Sequence, residues 1–72
     1  MASAPRYKVY VDGVYIAACK YPEEAAMILS GNGHGEIRSG HKKSDTVYTL
    51  QDGDIIDSLD AVARTVYETE RA

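Results

Sequence analysis

Hydrophobic alternation marks the first ordered stretch of the chain. In Arg6-Tyr-Lys-Val-Tyr-Val11, the residues Tyr7, Val9 and Val11 alternate with Arg6, Lys8 and Tyr10, the period-two pattern of a strand buried on one face. Asp12-Gly13 follows, a pair suited to a type I′ turn because both central positions take positive φ. A two-residue turn here pairs Val11 with Val14, Tyr10 with Tyr15 and Val9 with Ile16. That register predicts a core face of Tyr7, Val9, Val11, Val14, Ile16 and Ala18, and an outer face of Arg6, Lys8, Tyr10, Tyr15, Ala17 and Cys19.

The period then changes. From Tyr21 to Gly31, Pro22 suits the first helical position, and Glu23 and Glu24 favour the positive end of the helix dipole. Ala25, Ile28 and Leu29 share one face, and Gly31, with Asn32 and Gly33 behind it, predicts the stop. A helix of about two turns needs packing against the hairpin to exist. Glu36–Ser39 and Thr46–Leu50 read as two more strands around the polar stretch 40–45. Val47 and Tyr48 compete for the inward position. A loop tip at 41–44 places Ile37 opposite Tyr48, with Leu50 inward and Arg38 and Val47 outward, and a one-residue slip reverses this. Finally, Leu59, Val62, Ala63, Val66 and Tyr67 repeat with helical spacing and predict an amphipathic helix over Ile55–Glu70. Asp57 or Ser58 can cap it, and Asp60 adds negative charge to its first turn.

The order ββαββα predicts an α+β fold, with one antiparallel four-stranded sheet and both helices packed on one face. Residues 6–72 read as a single domain behind a disordered lead, 1–5. At 72 residues the core supplies only about 3 to 5 kcal/mol, so a partner subunit is a natural supplement. Cys19 is the only cysteine. It cannot form an intrachain disulfide, and it reads as a small half-buried strand residue suited to a reducing compartment. Cys19, His34 and His41 are too few for a structural zinc site, so neither a metal nor a cofactor is expected. No apolar run approaches the ~20 residues of a membrane span and no leader pattern opens the chain, which predicts a cytoplasmic protein.

Charge divides the chain. Residues 1–43 carry a net +2 and residues 44–72 a net −5, for −3 in all. On the outer face of the sheet, Tyr10 and Tyr15 lie opposite each other, flanked by Arg6, Lys8 and Arg38. Such a surface can stack nucleobases or dock a protein, and the tyrosine pair also serves simply to stabilise the hairpin. His41, Lys42 and Lys43 offer a small cationic loop tip for an acidic partner. Asp54, Asp57, Asp60 and Glu68 offer an acidic surface that fits a basic groove. The glycine-rich run 31–35 follows a helix instead of preceding one, so it lacks the geometry of a phosphate cradle. Ser39, His41, Ser44 and Asp45 bring hydrolase residue types into one loop, but without a rigid frame for nucleophile, base and oxyanion donors. The expectation is a protein that is not an enzyme.

The segments Val-Tyr-Val-Asp-Gly (9–13), Glu-Glu-Ala-Ala (23–26) and Gly-His-Lys-Lys-Ser-Asp-Thr-Val-Tyr (40–48) together resemble short uncharacterised proteins encoded by bacteriophages and prophages. The likeness covers roughly residues 7–50, and its motifs are structural, so no catalytic or binding residue carries over. It implies a protein that binds and inhibits a host macromolecular complex in the host cytoplasm, such as a nucleic-acid-guided (CRISPR) defence complex or the host RNA polymerase. Two other readings of the residues stand beside it. One is a nucleic-acid or nucleotide binder that uses the open sheet face, and the other is a homodimeric structural protein whose exposed sheet faces or edges pair.

Overall fold

A computed structural model of the chain describes residues 6–40 and 45–71. The proposed lead 1–5 and the loop tip 41–44 lie outside the described residues. The elements are β1 (Tyr7–Val11), β2 (Val14–Cys19), α1 (Pro22–Asn32), β3 (Gly35–Ser39), β4 (Thr46–Leu50) and α2 (Leu59–Arg71). The strands form one sheet in the order β2-β1-β3-β4, with every neighbouring pair antiparallel. Both helices cover the same face: α1 packs on β1, β2 and β3, α2 packs on β4, and the helices touch each other. This is the α+β arrangement that the hydrophobic pattern predicts.

The first hairpin turns where expected. Asp12 and Gly13 both have positive φ, at 54° and 79°, as a type I′ turn requires. Val11 pairs with Val14 and Tyr10 with Tyr15, but Val9 pairs with Ala17 and not with Ile16. Ile16 is the extra residue of a β-bulge, which leaves two residues of β2 opposite one of β1. Beyond the bulge the expected faces exchange: Cys19 is buried and Ala17 packs on the core, whereas Ala18 is exposed. Val14 and Ile16, predicted inward, are 60% and 44% exposed. Simple alternation cannot anticipate this from Ile16 onward, because a bulge inverts every side chain beyond it; Val14 keeps its register and lies beside the exposed turn residues Asp12 and Gly13.

The same device settles the second hairpin. Ile37 pairs with Tyr48 as expected, but Arg38 pairs with Thr46, so Val47 is the extra residue of a second bulge. Val47 is therefore buried with Leu50, not placed outward with Arg38, and Tyr48 still packs against the core. The competition between Val47 and Tyr48 ends with both on the core side.

Helix α1 begins at Pro22, and the Tyr21 amide donates to Glu24 Oε1 at 3.2 Å. Gly31 lies within the helix. The stop is Gly33, at φ 84°, whose amide donates to the Leu29 carbonyl at 2.9 Å, so α1 has three turns instead of two. Helix α2 starts later than predicted, because residues 54–58 are irregular. Ser58 caps it, with Oγ accepting from the Ala61 amide at 3.3 Å. Val62, Ala63 and Val66 are buried, but Tyr67 is exposed.

Tyr7, Val9, Leu29, Ile37 and Val66 are fully buried and form the centre of the core. The Tyr7 hydroxyl donates to Glu70 Oε1 at 2.7 Å, linking the first strand to the end of the last helix. Burial, reinforced by Glu70, pushes the Tyr7 phenol up from 10.0 to about 12. Gly35 is fixed by crowding: at φ +140°, a Cβ there would lie 2.6 Å from the Tyr10 carbonyl oxygen and 2.7 Å from Leu29 Cδ2.

Two outcomes follow from these contacts. Gly35→Ala must push α1 or β1 aside and is expected to lose roughly 2 to 4 kcal/mol of stability in urea denaturation. Because the folded state raises the Tyr7 pKa, its stabilising contribution is complete below pH 10 and disappears as pH rises toward about 12. Wild-type protein should lose up to about 2 to 3 kcal/mol in that window. Tyr7→Phe should be less stable at neutral pH, by about 1 to 2 kcal/mol, yet show a flatter alkaline limb in pH-dependent unfolding.

Candidate functional site

Both helices lie on one side, and among the described residues no helix covers the other face of the sheet. Register places Tyr15 of β2, Tyr10 and Lys8 of β1, and Glu36 and Arg38 of β3 on this face, because their paired neighbours Val9, Ile37 and Tyr7 face the core. The Tyr10 and Tyr15 rings lie 5.7 Å apart with a 46° tilt, within the range of favourable aromatic pairs. Arg38 Cζ sits 3.9 Å over the Tyr10 ring, a cation–π contact. The Arg38 Nε donates to Glu36 Oε1, which also accepts from Thr46 Oγ1 at 3.1 Å.

These contacts tie Tyr15, Tyr10, Arg38, Glu36 and Thr46 into one row across all four strands. The hydrogen bond to Glu36 holds the Arg38 guanidinium above its already high range, so its charge is permanent at any working pH. That charge is also compensated by the adjacent carboxylate. The row is held by contacts among its own side chains: a tilted ring pair, a guanidinium over one ring and an ion pair.

The other sequence candidates lie elsewhere. Lys8 pairs with Arg38 across β1 and β3, beside the row. Arg6 is exposed, and its charge acts on the Tyr7 hydroxyl against the effect of Glu70, away from the tyrosine pair. His41, Lys42 and Lys43 lie outside the described residues. The acidic residues fall in two consecutive segments. Asp54 and Asp57 belong to the irregular stretch before α2, and Asp54 closes a turn by accepting from the Gln51 amide at 3.1 Å. Asp60 and Glu68 line an open groove of about 370 Å³ with Glu23, Arg64, Tyr67 and Arg71, where two arginines interleave with the carboxylates. Ser39 is buried. Cys19 is buried as well, and burial, then Glu24, pushes its thiol up, which keeps it protonated.

One grouping has no signal in the sequence. His34 Nε2 lies 2.9 Å from Asp12 Oδ1, and its Nδ1 lies 3.2 Å from Asp52 Oδ1. The ring thus clamps two Asp-Gly turns that are 40 positions apart in the chain. Spacing alone cannot reveal it, since the sheet order brings the turns together. Among the described residues no group of His, Cys, Asp or Glu is arranged to hold a metal ion, and no described helix is long and apolar enough to cross a membrane.

No protein-family description matches the chain, and no curated protein or solved structure shows significant similarity to it.

The aromatic pair has a measurable signature. A double-mutant cycle over Tyr10→Ala and Tyr15→Ala should give a coupling of about 0.2 to 1 kcal/mol in chemical denaturation. A coupling near zero would show that the rings do not interact in solution.

Proposed function

We propose that the chain is a phage-encoded protein-interaction module that binds a host macromolecular complex through the open face of its sheet and thereby inhibits it. The row from Tyr15 to Glu36 carries this reading. Tyr and Arg are the residue types that concentrate in binding hot spots, and here they are solvent-facing, mutually oriented and free of any covering element among the described residues. Charge favours a protein over a nucleic acid as the partner. Arg38 is compensated by Glu36, and the chain carries a net −3, so the face offers little of the positive field that draws phosphate backbones. The phage setting, and with it a defence complex or RNA polymerase as the target, rests on the likeness of segments 9–13, 23–26 and 40–48 to short phage proteins.

The test is affinity purification from a bacterial host with wild-type protein and the Tyr10→Ser, Tyr15→Ser double variant side by side. A stoichiometric host complex is expected with wild-type protein and is expected to be lost with the variant, while hydrogen exchange shows the variant still folded. Recovery of no stoichiometric host protein, or equal recovery by both forms, would sink the proposal.

A further inference from the structure

We infer that two copies of this chain pair through β2, antiparallel about a two-fold axis near Ile16 and Ala17, joining two four-stranded sheets into one. Strand β2 is an edge of the sheet, and an edge presents unpaired backbone donors and acceptors to any second strand. Natural edges are usually guarded by an inward charge, a lysine or a proline. Val14–Cys19 contains none of these.

The bulge, often a guard in itself, has another effect here. It removes Ile16 from the core register and leaves it exposed at the middle of the strand, next to Val14 and Tyr15, which are 60% and 52% exposed. A two-fold through this point brings the apolar segment of one copy against its own counterpart, as a closed, isologous interface requires.

Charge separates the two edges of the sheet. Strand β2 is flanked by Asp12 before it and Lys20 after it. Antiparallel self-pairing sets the Asp12-Gly13 end of one copy beside Lys20 of the other, twice by symmetry. Both side chains are available for this: Asp12 is exposed and meets His34 through Oδ1, and Lys20 is exposed with Nζ 5.8 Å from the Tyr21 ring. Strand β4, the opposite edge, is flanked by Asp45 and by Gln51-Asp52. The same operation there brings acidic ends together, and its larger apolar residues Val47 and Leu50 are already buried. Composition, exposure and charge all select β2 and a second copy of this chain. The pairing uses the strand edge, not the Tyr10–Arg38 row, so it stands whether or not a host complex binds the open face.

Sedimentation of the full chain from low to high micromolar concentration tests this directly, with a reversible monomer–dimer equilibrium expected. Ile16→Lys places a charge at the two-fold on an already exposed position and should weaken association by about tenfold or more. Lys20→Glu should also weaken it, and should reverse its salt response: added salt weakens the wild-type dimer by screening Asp12–Lys20 attraction, but strengthens the variant by screening repulsion. A wild-type chain that stays monomeric throughout, or a dimer indifferent to both substitutions, would overturn the inference.

Discussion

Tyr7 and Val9 lie fully buried on β1, and the other elements are arranged to keep them there. Strand β1 is interior to the sheet, with β2 on one side and β3 on the other, so both its edges are paired. Helix α1 packs on it, and Gly35 lets β3 lie closer to the Tyr10 carbonyl of β1 and to Leu29 of α1 than a side chain there would permit. At the far end, the Tyr7 hydroxyl fixes the last turn of α2 through Glu70. In a chain whose core is this small, one strand that engages both helices is an economical solution: each contact that buries β1 also positions another element.

The two hairpins share one irregularity. Each carries a single extra residue, Ile16 in β2 and Val47 in β4. In β4 the bulge adds a hydrophobic residue to the core. In β2 it exposes one and brings the small Ala17 and Cys19 to the core side instead. The asymmetry decides the character of the two edges. Strand β4 keeps its large aliphatics Val47 and Leu50 buried, while β2 is an uncharged edge strand with Val14 and Ile16 exposed. The bulges thus help to determine which hydrophobic residues are buried and which stay exposed.

The open face shows a related balance. Tyr10, Tyr15, Arg38 and Glu36 satisfy one another by stacking, cation–π contact and ion pairing, so they are ordered without a partner. Side chains held in this way lose less freedom on forming a contact than mobile ones. The compensation of Arg38 by Glu36 also leaves this row with little net charge.

The sequence by itself determined the element order, the Asp12-Gly13 turn, the antiparallel sheet with helices on one side, and the outward pairing of Tyr10 with Tyr15. These depend on local periodicity and turn chemistry, which act over a few residues and are written directly in the chain. It offered Arg38 as outward in one of two registers, and not its capture by Glu36. Tertiary structure alone decided the faces of Ala17, Ala18 and Val47, the exposure of Val14 and Ile16, the late start of α2, the Tyr7–Glu70 link and the clamp of two turns by His34. The exchanged faces and the long-range links share one physical reason. A bulge or a long-range hydrogen bond is selected by how well distant surfaces pack, and alternation along one strand holds no record of the volume that a helix leaves above it.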